Sequence, residues 1–369
     1  MEKQSSTAKL AVTLFLVGGI LNACNAPVKK TANADSNKTD TSKKVKYLSQ
    51  PLISSIYTAD PSAHVFNGKI YIYPSHDINT NISENDNGDQ YAMRDYHILS
   101  MDSIGGKVTD NGVALDIKDI PWAGKQLWAP DAAYKNGTYY LYFPVKDKTG
   151  VFHIGVATST SPVGPFKAEP QSIAGSYSID PAVFTDTDGK TYMYFGGIWG
   201  GQLEQWITGK YDPNGSKTDS KQPDGPAISC KVALLKPDMK NFDGPAKDAV
   251  ILDSLGKPLL TKDSTRRYFE GSWMHKYSGK YYFTYSTGNT HFLCYAIGNS
   301  PLGPFTYKGV FLKPVQGWTT HHSIVEINGK WYMFYHDTQL SGKDYLRNVK
   351  VTELHHNADG TIQLIDPFL

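Results

Sequence analysis

Four carboxylates and a histidine stand at matching places in the chain, each ahead of an aromatic run: Asp60, Asp131, Asp180, Glu270 and His321. Glu270 is the plainest case. It lies in Tyr268-Phe269-Glu270-Gly271-Ser272-Trp273, where an ionised acid is costly to bury unless it is paired. A single such Glu reads most simply as salt-bridged or solvated, and a single Asp-Pro pair as a turn cap. Recurrence of one layout around a changing polar residue argues for a shared purpose. Carboxylates gathered from separate segments could hydrolyse a glycosidic bond, which needs an acid to protonate the leaving oxygen and a base or nucleophile on the sugar's other face. A third carboxylate could orient the acid and raise its pKa, because like charges resist joint ionisation.

The segments that must position these residues repeat. Asp60-Pro61 leads through Asn67-Gly68 into Ile70-Tyr71-Ile72-Tyr73, and Asp131 through Asn136-Gly137 into Tyr139-Tyr140-Leu141-Tyr142-Phe143. Asp180-Pro181 leads through Asp188-Gly189 into Thr191-Tyr192-Met193-Tyr194. Glu270 leads through Ser278-Gly279 into Tyr281-Tyr282-Phe283, and His321 through Asn328-Gly329 into Trp331-Tyr332-Met333-Phe334-Tyr335. Each Gly-centred pair between two such runs signals a hairpin. A second motif also recurs: Ser161-Pro162-Val163-Gly164-Pro165-Phe166 and Ser300-Pro301-Leu302-Gly303-Pro304-Phe305. Marker spacings of roughly 50 to 90 residues, about four strands per unit and no long helical periodicity predict an all-β, five-bladed β-propeller over residues 49–369. The first strand of each blade lines the channel of a propeller, so the markers should converge on one funnel. The stretch from Gly209 to about Asp263, rich in Lys, Asp, Pro and Gly, is expected to supply the outer strands of the third blade and long surface loops.

Charge is near balance, 37 Lys+Arg against 35 Asp+Glu, which gives no footprint for nucleic acid. Aromatics make up 12% of the chain, a composition that suits both short strands and the stacking of sugar rings. Lys3 and Lys9 flank the approach to an apolar run at residues 10–21, too short to span a bilayer and of signal-peptide length. The run ends in Leu21-Asn22-Ala23-Cys24, which resembles a bacterial lipobox. Residues 1–24 are therefore expected to be a lipoprotein signal with Cys24 lipidated, and residues 25–48 a flexible tether. The protein is then exported and held to a membrane by its lipid alone, and it is expected to be a monomer. Cys230 and Cys294 remain in the body, and the sequence leaves open whether they pair. No Cys/His cluster has zinc-site spacing.

Taken together, Ala59-Asp60-Pro61, Trp128-Ala129-Pro130-Asp131, Ile179-Asp180-Pro181-Ala182, Glu270-Gly271 and His321-His322-Ser323 resemble the motifs of glycoside hydrolase family 43, over residues 52–366. The resemblance implies a five-bladed propeller that cleaves pentose linkages of plant polysaccharides with inversion. It implies Asp60 as general base, Glu270 as general acid and Asp180 as the residue that tunes and orients the acid. His321 aligns with a histidine that in many members faces a central Ca²⁺ or a water cluster, and Arg347 with an arginine that reaches the sugar. Asp131, Trp128, Trp199 in its glycine-rich loop and His76, with Asp77 beside it, are the further candidates for substrate contact. Each has a packing alternative: Trp128 as a core indole, Trp199 as a loop anchor, Arg347 as a solvated strand residue.

The implied activity is exo-acting release of xylose or arabinose from xylan- or arabinan-derived oligosaccharides, with an endo-acting arabinanase or xylanase as the alternative within the family. A glycan-binding propeller without catalysis would have no need of Asp60, Asp180 and Glu270 together. A protein-interaction propeller would more often lack both these acids and the export signal. A sucrose- or fructan-cleaving propeller would carry an Asn-Asp-Pro-Asn-Gly stretch in its first blade, which is absent here.

Overall fold

The computed structural model describes residues 45–369, apart from 218, 220, 221, 319 and 320. The expected signal peptide with Cys24, and nearly all of the expected tether, lie outside them. Five antiparallel sheets form a five-bladed propeller. Blade one is Tyr57–Phe66, Lys69–Asp77, Asp95–Met101 and Thr109–Asp116. Blade two runs from Asp131–Lys135 through Thr138–Asp147 and Phe152–Ser159 to Lys167–Ala168, with Ala123–Leu127 also paired to the long second strand. Blade three is Ala182–Thr185, Thr191–Phe195, Cys230–Leu235 and Lys247–Ala249. Blade four is Glu270–Tyr277, Lys280–Ser286, Leu293–Gly298 and Phe305–Leu312, with Ile251–Leu252 added in parallel at its outer edge. Blade five has three strands, His322–Ile327, Lys330–Asp337 and Asn348–Leu354. The region from Gly209 onward does supply the two outer strands of blade three.

Strand periodicity explains how one sheet serves two interfaces. Side chains alternate across a sheet. On Thr138–Asp147, Tyr139, Leu141, Phe143 and Val145 join a core shared with blade one, while Tyr140 and Tyr142 join one shared with blade three. The hairpins follow the expected chemistry at four of the five turns. Asn67-Gly68, Asn136-Gly137, Ser278-Gly279 and Asn328-Gly329 all have positive φ at both residues, as a tight two-residue hairpin requires. The Asp188-Gly189 turn is longer: Thr185 pairs with Thr191, and the Gly189 amide donates to the Asp186 carbonyl at 2.9 Å.

The repeated Ser-Pro-x-Gly-Pro-Phe turns fasten neighbouring blades. The Tyr73 hydroxyl of blade one donates to the Pro162 carbonyl, and the Tyr194 hydroxyl of blade three donates to the Pro301 carbonyl. Beside them, the Phe166 amide donates to Ala114 (2.8 Å) and the Phe305 amide to Val250 (2.9 Å). The ring closes where the first strand lies against all three strands of blade five. There the segment before blade one covers the blade: the Leu52 amide and, at the start of the first strand, the Thr58 amide donate to the carbonyls of Val349 and Arg347, and Tyr47 bridges Phe368. Cys230 and Cys294 are buried free thiols.

Candidate active site

A solvent-facing cavity opens where the blades converge, and Asp60, Asp180, Glu270, His321 and Arg347 all line it. The backbone holding two of these acids is unusual. Asp60 (φ 47°) and Asp180 (φ 58°) adopt left-handed conformations that non-glycine residues rarely occupy. Asp60 also falls within a register shift of its hairpin, between Ala59 and Ser62, and Glu270 borders one, between Glu270 and Trp273. Such bulges re-aim a side chain out of strand alternation. The Asp60 bulge is fixed by its own amide, which donates to His336 Nδ1 at 3.0 Å.

Asp60 is built to stay ionised. Its Oδ1 accepts from Arg347 Nη1 at 2.9 Å and its Oδ2 from the Ser75 hydroxyl at 2.7 Å, while His321 Nδ1 lies 3.5 Å from Oδ1. Burial by itself would raise its pKa, but Arg347 and then His321 overcome that and hold the carboxyl well below the usual range. Arg347 is in turn gripped by Asp77, whose two oxygens accept from Nη2 (2.8 Å), from Nε (2.9 Å) and from the Arg347 amide (2.8 Å). The guanidinium also sits over the Tyr91 ring, 4.9 Å from its centroid.

Glu270 is built to hold a proton. It keeps part of its surface open to the cavity, yet burial and then the charge of Asp180 push its pKa up to about 8. Burial also pushes Asp180 up to about 6, against the opposing pull of His321. The Gly271 amide donates to Asp180 Oδ2 at 2.9 Å, which ties Asp180 to the residue next to Glu270. Burial would lower His321, but Asp180 and Asp60 outweigh it and raise the imidazole to about 9. A cationic His321 thus stands among three acids.

The walls are aromatic. Trp199, Phe269 and Trp318 form one contiguous cluster, with Phe269 and Trp318 centred 5.2 Å and 5.9 Å from Trp199. Trp128 and Tyr91 line another part. Trp128 is a core indole that also borders the cavity: its N–H donates to the Tyr91 carbonyl at 2.7 Å and its ring packs on Phe152. The glycine-rich loop at Trp199 presses against the strand entry beside Asp180. A Cβ at Gly197 or Gly201 would fall 2.6 Å or 2.7 Å from the Ile179 side chain.

Two candidates for substrate contact lie elsewhere. Asp131 is buried beneath the site, where it accepts from the Ser62 hydroxyl, the Ala132 and Val183 amides and His64 Nε2 (2.7 Å). It joins the inner strands of blades one, two and three instead of facing a sugar. His76 is turned away because residues alternate along its strand. Its neighbour Asp77 reaches Arg347, while His76 Nδ1 meets Asp95 at 2.5 Å. The sequence reading passed over Trp318, Phe269 as a wall, and the loop residues Gly88, Gln90 and Tyr91. Trp318, three positions before His321, carried a usable signal; the loop residues carried none.

Around His321 the protein offers one imidazole, and the nearest carboxylate, Asp60, is committed to Arg347 and Ser75. Ca²⁺ takes six to eight oxygen ligands. The side chains gathered here fit such an ion only if water supplies most of its shell.

Residues 48–362 match the family described as glycosyl hydrolases family 43. Over 319 residues the chain is 59% identical to xylosidase/arabinosidase 43A of Humicola insolens, covering 85% of this chain and 98% of the relative. It is 50% identical over 327 residues to a β-xylosidase of Xylanibacter ruminicola, covering 87% and 99%. A solved family 43 β-xylosidase/α-arabinofuranosidase from a compost microbial metagenome, in complex with xylotriose and in a calcium-free form, superposes with a TM-score of 0.86 at 64% identity, over 88% of this chain and 99% of that one. A Xanthomonas citri enzyme of the same family, also complexed with xylotriose, gives 0.83 at 51% identity, over 87% and 94%. With this fold, this cavity and a match along nearly its whole propeller, the chain belongs to glycoside hydrolase family 43.

Proposed function

We propose that the protein is an inverting, exo-acting β-xylosidase/α-L-arabinofuranosidase that removes terminal pentoses from xylan- or arabinan-derived oligosaccharides. The observation that carries this reading is the pairing, in one aromatic-walled cavity, of a carboxylate kept ionised (Asp60) with a carboxyl kept protonated (Glu270). Asp60 takes a proton from water as the water oxygen attacks the anomeric carbon. The glycosidic C–O bond breaks on the opposite face, and the leaving oxygen takes the proton of Glu270. Asp180 keeps Glu270 protonated and, through the Gly271 amide, in place. Arg347 holds Asp60 and contributes donors at the sugar's edge, with Trp128 and Trp199 as walls. The xylotriose bound to two solved relatives supports a xylo-oligosaccharide as one substrate. A Ca²⁺ ion in the channel would be held mainly by water, with His321 beside it only in its neutral form.

Hydrolysis of p-nitrophenyl β-D-xylopyranoside and α-L-arabinofuranoside tests the reading, with the first-formed sugar followed by proton NMR. Inversion releases α-xylose from the β-xyloside, and Asp60→Asn and Glu270→Gln each lower kcat by about 10²-fold or more. First release of the β-anomer, or activity that survives both substitutions, overturns it. Accumulation of intermediate oligomers from linear xylan or arabinan would instead show endo action. We further propose that the propeller acts as a monomer outside the cytoplasm, anchored through a lipid on Cys24. Cys24→Ala should then leave the membrane fraction and lose incorporation of labelled palmitate.

A further inference from the structure

Among the described residues, His76, Asp95 and His97 are the one group of three or more His, Cys, Asp or Glu side chains gathered closely enough to hold a metal ion, each offering a ligand atom within 4.8 Å of the others. We propose that this cluster binds a divalent transition-metal ion, Zn²⁺ or one of similar preference, outside the catalytic cavity. Two imidazoles and a carboxylate make the donor set of such ions, whereas Ca²⁺ and Mg²⁺ want oxygen throughout. The two rings already lie together, with centroids 4.6 Å apart, and all three side chains are sheltered without being sealed from solvent. His97 Nδ1 is held by both oxygens of Asp110, at 2.9 Å and 3.0 Å, the carboxylate support that metal-binding imidazoles typically have. Asp95 and Asp110 together also balance the charge of a dication.

The position gives the site a consequence. His76 lies at the end of Lys69–Asp77, and Asp95 begins the next strand. The intervening loop, residues 78–94, brings Gly88, Gln90 and Tyr91 to the cavity wall. An ion joining His76 to Asp95 and His97 pins both ends of that loop. It does so from the face opposite Asp77 and Arg347, so it touches no substrate.

Isothermal titration of the metal-stripped, full-length protein with Zn²⁺ tests the site. The expected result is saturable binding of about one ion per chain that excess Ca²⁺ does not displace, and a thermal unfolding midpoint raised by Zn²⁺. His76→Ala and His97→Ala should abolish both effects. Asp110→Asn, which keeps both imidazoles and guards against misfolding of the alanine variants, should weaken binding about 10–100-fold. His355→Ala, at an exposed histidine, should change neither. Absence of saturable Zn²⁺ binding, or binding undiminished in both histidine variants, overturns the proposal and leaves the cluster as a pair of His–Asp hydrogen bonds.

Discussion

At the scale of single residues, the site sets two carboxyl groups apart in proton affinity. Asp60 has Arg347 and His321 beside it, while Glu270 has burial and the charge of Asp180. In the proposed mechanism Glu270 must be protonated to act as the acid, so activity should fall as pH rises through about 8. Asp180 raises Glu270, and removing that charge lowers it. In a pH–kcat/KM profile, Asp180→Asn should therefore move the alkaline limb toward lower pH as well as reduce the rate. An unmoved limb would mean that burial alone sets the Glu270 pKa.

Among the elements, the paired Ser-Pro-x-Gly-Pro-Phe turns and the histidine pair of the fourth and fifth blades invite direct tests. Tyr73→Phe and Tyr194→Phe each remove one hydroxyl that bonds a turn of the next blade. Each should cost about 1 kcal/mol in urea unfolding, and the double variant should be close to additive because the two joints share no partner. His275 and His356 face one another, Nε2 to Nε2, at 3.1 Å amid Tyr277, Tyr282 and Trp331. Burial lowers both imidazoles, His356 to about 4 and His275 well below its ordinary value. An unfolded histidine titrates near 6.5. At these two sites the folded chain thus binds fewer protons than the unfolded chain below about pH 6.5, and the pair's contribution to stability is full above that pH and lost as pH falls toward 4. In urea midpoints measured from pH 7.5 down to pH 4.5, the native protein should lose stability relative to His356→Phe as the pH falls, and parallel curves would show that the pair carries no such linkage.

For the whole molecule, closure of the ring is the vulnerable joint. Blade five contributes only three strands, and the segment before blade one covers its edge. The two ends of the described chain meet there. The Leu48 amide donates to Pro367, the Leu369 amide to Lys46, and Tyr47 lies over the Lys350 ammonium, itself buried against Asp337. A chain beginning at residue 52 should therefore unfold at lower urea than one beginning at residue 45. Arg347, which follows directly from this joint and holds Asp60, should carry the loss into kcat. Equal midpoints for the two chains would assign closure to the inter-blade core alone, where Ala63, Ile72, Phe334 and Val349 meet.

The sequence alone determined whatever depends on local chemistry and repetition. Gly-centred turns with aromatic runs specified hairpins, five recurrences specified five blades, and Asp60, Asp180, Glu270 and His321 were recognisable as residues aimed at one channel. Tertiary structure decided which polar residues actually face the cavity. Asp131 occupies the same marker position as the others, but amides and hydroxyls of two neighbouring blades claim its carboxylate. Asp77 serves the site where His76 does not, because one step along a strand reverses the face. Tyr91 and Trp318 come from loops whose place over the channel is set by the packing of distant segments, and no local pattern encodes that. Protonation is likewise a tertiary property, since Asp60 and Glu270 differ little as isolated acids and are separated only by the burial and charges the blades bring to each.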